Sequence, residues 1–338
     1  LLSAFEEASG QTPPWRVKNR LQMSYEFDSN IRENPAAGDS TIEDSSARFF
    51  FQSHAACNSP KTRLSLIFRT GLQTYFQNPI ENKLINEFEL TSAVKLGKAA
   101  AGVRGFGRLK LYLNDALDYV SGYGELFVQA PLFSKINGEL AFQTAGLSYQ
   151  NFKYFNYSEN QLKLQVSRKL TERLSSTIEL GFRKIHYNRT LFFSPPDTLR
   201  FGRKQEDDNY RFYWQVNYTK TFLFNFSYTF QYNESNTSGY GYRRHQIIVI
   251  LGTPLFSGVW LRGYAAYQNK RYRDPLPMFP PDIDPERDES NFLIADLSKD
   301  LRPGLTALLR AAFYNNESII RSRFYRKFLL TAGLDFRF

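Results

Sequence analysis

The sequence predicts an all-β chain, a transmembrane, antiparallel, up-and-down β-barrel of about sixteen strands, within a range of about 14–18. Three observations carry that reading. Apolar and polar residues alternate with period two along segment after segment, the segments are even in number, and the links between them alternate between short and long. A strand of that pattern separates two different solvents, one on each face.

Taken in order, the segments centre near residues 22, 52, 67, 88, 107, 124, 141, 164, 180, 214, 227, 248, 265, 294, 310 and 332. Each is expected to have the roughly 9–11 residues that cross a bilayer when tilted. In the first, Val17, Leu21, Met23, Tyr25 and Phe27 alternate with Arg16, Lys18, Arg20, Gln22, Ser24 and Glu26. In the fifth, Leu109, Leu111 and Leu113 alternate with Arg108, Lys110 and Tyr112, and in the tenth Tyr210, Phe212, Trp214, Val216 and Tyr218 alternate with Arg211, Tyr213, Gln215, Asn217 and Thr219. The eleventh is the plainest: Phe222, Phe224, Phe226, Tyr228, Phe230 and Tyr232 against Leu223, Asn225, Ser227, Thr229, Gln231 and Asn233. Short links are expected at 58–61, 96–98, 131–134, 169–172, 219–221, 252–254 and 300–303. Longer polar links fall at 28–46, 149–160, 188–208, 233–243 and 272–290, with shorter exceptions at 77–83 and 114–118. Barrels in outer membranes have short periplasmic turns and long extracellular loops, so this rhythm places both ends of the barrel in the periplasm. Residues 1–15 are then an N-terminal periplasmic segment or linker and residues 16–338 the barrel.

Composition removes the other classes. No run approaches the roughly 18 apolar residues of a membrane helix, and the mean hydropathy is −0.45. The lone Cys57 excludes an intrachain disulfide and the thiolate metal motifs, and no cofactor or metal is expected. His54, His186 and His245 are scattered, and neither a nucleophile elbow nor a metalloprotease helix accompanies them, so catalysis is not expected. The formal charge of +10 is spread through strands at alternate positions, which does not suit nucleic acid.

The last residues, Thr331-Ala332-Gly333-Leu334-Asp335-Phe336-Arg337-Phe338, resemble the C-terminal β-signal of bacterial outer-membrane proteins. That resemblance implies residence in the outer membrane, contact with its lipid and lipopolysaccharide, and recognition of Thr331, Gly333, Phe336 and Phe338 by the barrel-assembly machinery. Tyr25-Glu26-Phe27-Asp28-Ser29-Asn30, followed by Asn34-Pro35, is similar to the opening of barrels that follow tetratricopeptide domains, the surface-lipoprotein assembly modifiers and export porins.

With the aromatic face turned to lipid, the opposite parity lines the lumen. Its basic members include Arg20, Arg48, Arg63, Arg69, Arg104, Arg108, Lys110, Arg183, Arg211, Arg262 and Arg310, and its acidic members Glu87, Glu89, Glu125, Glu139 and Glu179. An Arg or Lys facing lipid at mid-bilayer costs about 2–4 kcal/mol, which drives these residues inward. A basic lumen of this width suits a porin-like channel or export conduit for anionic solutes or a secreted polymer. The same residues pairing across strands, merely stiffening the wall, is the competing reading, since Glu87 and Glu89 lie between Arg-bearing neighbours. From a different class comes a structural or assembly barrel that docks or encloses a partner, such as a surface lipoprotein or an electron-transfer subunit. The proline-rich, acidic stretch Asp274–Asp288 reads as a stiff solvated loop, and the aromatics of 191–208 as a contact for a protein partner or for inward packing.

Overall fold

The computed structural model describes residues 15–33, 41–113, 117–190, 203–237, 239–273, 290–316 and 325–338. Of the expected N-terminal segment only Trp15 is described; the rest, with Asn34-Pro35, residues 191–202 and the proline-rich stretch, lies outside the described residues. Sixteen strands follow one another: β1 (Arg16–Asp28), β2 (Asp44–Asn58), β3 (Thr62–Tyr75), β4 (Lys83–Leu96), β5 (Ala99–Tyr112), β6 (Tyr119–Phe133), β7 (Ile136–Tyr149) and β8 (Tyr157–Lys169). Then come β9 (Leu174–Thr190), β10 (Lys204–Thr219), β11 (Leu223–Ser235), β12 (Tyr242–Pro254), β13 (Val259–Tyr272), β14 (Ser290–Arg302), β15 (Leu305–Asn316) and β16 (Tyr325–Arg337). Each pairs antiparallel with its sequence neighbours, and β1 pairs with β16, so the sheet closes on itself and leaves no edge.

Strand number and placement agree with the alternation in the sequence; strand length does not. The strands run from 12 residues in β15 to 17 in β9, longer than expected. Sequence periodicity marks only the stretch whose outer face is apolar, whereas the hydrogen-bond ladder continues beyond it. On the β9–β10 pair the outward parity passes from Leu180, Phe182, Phe212 and Tyr210 to Lys184, His186, Asp208 and Glu206 without a break in pairing. At the opposite rim, register shifts between Pro131 and Phe133 and between Asp300 and Arg302 extend β6 and β14 into residues expected to be links. The tight links at that rim use left-handed backbone, Gly97 at φ 63° and Gly304 at φ 81°, which glycine adopts without a Cβ penalty.

The outer face is apolar and open: Leu126 is 62% exposed, Val120 56%, Leu293 61% and Leu309 46%. A continuous surface of that kind needs lipid rather than water against it, and the apolar band is the membrane-spanning part of the molecule. The interior is polar. Among the described residues its buried apolar clusters are small, one of Ala93, Phe127 and Ala141 and another of Tyr119, Leu147 and Tyr149.

The seam explains part of the terminal motif. Gly333 lies opposite Ser24, and a Cβ there would come within 2.5 Å of the Met23 carbonyl oxygen and the Ser24 Cβ. Thr331 points inward and its Oγ1 donates to Glu26 (2.8 Å). Phe338 completes the ladder by exchanging backbone hydrogen bonds with Asn19 at 2.8 and 3.1 Å.

Candidate functional site

Contacts that skip a strand identify the concave face, because only inward-pointing side chains converge. Arg104 on β5 donates to Glu139 on β7 at 2.7 Å, Gln73 on β3 to Glu26 on β1 at 3.1 Å, and Lys163 on β8 pairs with Glu125 on β6. Counting by twos from these anchors puts every sequence-predicted lumen residue on that face.

Most of the predicted cations are paired there. Arg20 meets Asp335 (2.5 Å), and Arg48 meets Glu26. Arg69 reaches Glu89 at 2.5 Å and Glu87 at 3.4 Å, and Arg108 holds Glu87 from the other side at 2.7 Å. Arg104 sits between Glu125 and Glu139, its guanidinium 3.8 Å from the centre of the Phe127 ring. Arg183 pairs with Glu159 at 3.2 Å, Arg211 with Glu179 at 3.8 Å and Arg310 with Asp296 at 2.6 Å. Arg262 instead donates to the Tyr264 hydroxyl (2.9 Å), Lys110 lies over Tyr112 and Tyr119, and Arg63 stands half-buried near the rim with no ion pair among the described residues. Ion pairs of the kind weighed from sequence as wall-stiffening thus join the strands, with Glu87 held by both Arg69 and Arg108 and Glu125 by both Arg104 and Lys163.

Two regions of the lumen differ. On the seam side, from β15 round to β5, long cationic side chains stay accessible: Arg20 near the short-turn rim, Arg310 at mid-strand, and Arg48 and Arg108 nearer the long-link ends of β2 and β5 have side chains 39–43% exposed. A cavity of about 370 Å³ lies beside three of them, walled by Arg20, Arg48, Arg69 and Arg310 with Phe50, Ile85 and Leu308 and reaching Lys83. It spans from β15 to β4 across the barrel seam. The rim of short turns is strongly basic, with Arg16, Lys18, Lys61, Arg63, Lys95, Lys98, Lys135, Arg168, Lys169, Arg173, Lys220, Lys299, Arg302 and Arg337 against Glu172, Asp300 and Asp335.

At the long-link end of β9–β11, inward side chains are buried. Asn209, Asn233, Asp207 and Gln205 are each at most 1–2% exposed and joined in one chain of hydrogen bonds. Arg189 donates to Gln205 (2.6 Å), Gln205 to Asp207 (2.9 Å), Asn233 to Asp207 (2.9 Å) and Asn209 to Asn233 (3.1 Å). Tyrosines of the same parity ring this end: Tyr75, Tyr119, Tyr149, Tyr187 and Tyr242 are all buried. Lys83 lies over Tyr75 and Tyr112, Arg189 over Tyr187 (4.4 Å) and Lys270 over Tyr242 (4.3 Å). Here the assignment of aromatics to the outside needs correcting. Phenylalanines dominate the lipid face, but Phe50, Phe106, Phe127 and these tyrosines face inward. The signal that would have found them is parity carried from the arginines to the strand ends, rather than aromatic character.

No family model matches the chain, and no curated protein does. Among solved structures it is similar to OccAB4 of Acinetobacter baumannii, at 10% identity over 97% of this chain and 99% of that one with a TM-score of 0.47. A BenF-like porin from Pseudomonas fluorescens Pf-5 gives 11%, 96%, 99% and 0.46, and a bacterial polysaccharide outer membrane secretin 8%, 95%, 97% and 0.45. Likeness at that level says nothing of what enters this lumen.

Proposed function

We propose that the chain is a bacterial outer-membrane channel that passes anionic solutes or an anionic secreted polymer, with its short turns and both barrel ends in the periplasm. One observation supports this above the rest. The lumen presents accessible Arg20, Arg48 and Arg310 around an open cavity, with Arg108 equally accessible on β5, and at its short-turn rim cations far outnumber acids. Such walls concentrate anions at the mouth and slow cations.

The test is ionic selectivity in planar bilayers. Wild-type protein is expected to give steady, anion-selective conductance, and the double variant Arg108→Gln/Arg310→Gln to lower the anion-to-cation permeability ratio by about half while the barrel still assembles. These two are chosen over Arg104, whose stacking on Phe127 and double carboxylate clasp make its loss a folding defect as well. Conductance with no preference for anions would end this reading.

A second reading, a structural or assembly barrel that docks or encloses a partner protein, is favoured by the packed region of the lumen, where Asn209, Asn233 and Asp207 are buried. Its signature is absent conductance together with a stably co-purifying protein.

A further inference from the structure

On the outer surface at the long-link rim, opposite charges face each other on one strand pair and like charges on another. Across β9 and β10, Lys184 lies 3.9 Å from Glu206 and 3.7 Å from Asp208, and His186 lies 3.3 Å from Glu206. Across β12 and β13, by contrast, Arg243 stands directly opposite Arg271, both exposed and both on the outward parity. Like charges at directly opposed positions repel, and the arrangement is unfavourable unless an anion sits between them. Arg273 adds a third guanidinium. It donates to the Tyr232 hydroxyl (2.5 Å), and the Tyr232 ring has Arg243 at 5.6 Å and Arg273 at 5.5 Å. Among the described residues the one carboxylate at this spot is Glu234, 3.4 Å from Arg273.

The depth of the cluster is readable from the same register. Going down the β12–β13 pair, outward partners change from Arg243 and Arg271 to His245 and Asn269, then Ile247 and Tyr267, then Val249 and Ala265. Charge gives way to polar, to aromatic and to aliphatic side chains within that distance, which is the profile of a bilayer interface with its aromatic girdle. The three arginines therefore stand at headgroup height, above chains that would cover Ile247 and Val249.

We propose that Arg243, Arg271 and Arg273 form a docking site for the phosphate of a phosphorylated glycolipid in the outer leaflet. Guanidinium groups bind phosphate through paired N–H donors, and a phosphate between Arg243 and Arg271 removes their repulsion. Tyr232 orients two of the three by stacking and by accepting the Arg273 hydrogen bond. The site rests on the long-link rim facing outward but not on what passes through the lumen.

The experiment is native mass spectrometry of the detergent-purified full chain with added bisphosphorylated lipid A, its dephosphorylated form and phosphatidylglycerol. Wild-type protein is expected to retain one bisphosphorylated lipid A. The variant Arg243→Glu/Arg271→Glu is expected to bind it at least tenfold more weakly, Arg243→Lys/Arg271→Lys to fall between, and Lys184→Glu, on the oppositely charged pair, to bind as wild type. A folded barrel in each is verified by its faster gel migration before boiling. Equal retention by wild type and the glutamate variant overturns the proposal, as does equal binding of dephosphorylated lipid A or of phosphatidylglycerol. Because no step measures conductance, failure here is separate from failure of the channel reading.

Discussion

Two regions of the lumen use the same residue types to opposite ends. On the seam side, from β15 round to β5, arginines pair with carboxylates yet keep roughly two-fifths of their side-chain surface accessible, as in Arg108 with Glu87 and Arg310 with Asp296. At the long-link end of β9–β11, Arg189, Gln205, Asp207, Asn209 and Asn233 are buried and joined donor to acceptor. An accessible pair is weakened by water and salt, so it contributes field more than stability. A buried polar chain contributes rigidity, and each member is costly to leave without its partner.

The largest expected effect follows from that difference. Asp207→Ala strips an acceptor from both Gln205 and Asn233 inside a region water does not reach. The loss is expected to be about 2–4 kcal/mol, the cost of two buried donors left unmatched. Denaturant unfolding of the vesicle-inserted barrel measures it. A loss below about 0.5 kcal/mol, the size of an ordinary surface change, would show that this end is hydrated and erase the contrast.

A second variant asks whether the wall beside the accessible arginines is loose or tightly packed. The tip of the Phe127 ring sits over Gly102 on the next strand, where an added Cβ would meet it at 2.8 Å and the Ser92 carbonyl oxygen of β4 at 2.1 Å. Gly102→Val therefore presses on the β4 backbone as well as on the ring and on Arg104 stacked on it. Destabilisation of about 1–3 kcal/mol is expected, the usual range for overpacking. A neutral outcome would mean that the wall between β4 and β6 yields, and that the seam-side region is slack rather than tightly packed.

How much of this contrast was legible beforehand depends on what periodicity records. Alternation along Phe222–Asn233 or Leu109–Tyr112 reports two solvents, and it located all sixteen strands and the inward parity of Arg69, Glu87 and Arg108. It is blind where both faces are polar, so the extensions of β9 and β10 beyond Lys184 and Asp208 went unread. It is also blind to depth within the lumen. Arg108 and Arg189 share a parity, but one is half-exposed and the other buried, because burial depends on side chains several strands away. Tyr75 and Tyr149 were hidden for a related reason: aromatic residues serve both a lipid-facing girdle and a packed interior, and only register separates the two uses.

The smallest expected effect completes the contrast with Asp207. Arg108→Ala also removes one side of an ion pair, and the partner, Glu87, is itself largely buried with 18% of its side chain exposed. Left alone, a buried carboxylate would be costly, yet Glu87 keeps Arg69 at 3.4 Å on the opposite strand. The Arg108 side chain is 41% exposed, so water and salt already screen most of what it gives Glu87. A stability change of less than about 1 kcal/mol is therefore expected in the same unfolding measurement, shrinking further in high salt. A loss as large as that of Asp207→Ala would mean that Glu87 depends on Arg108 alone. The two regions of the lumen would then be one continuous network rather than a field-making side joined to a rigid one.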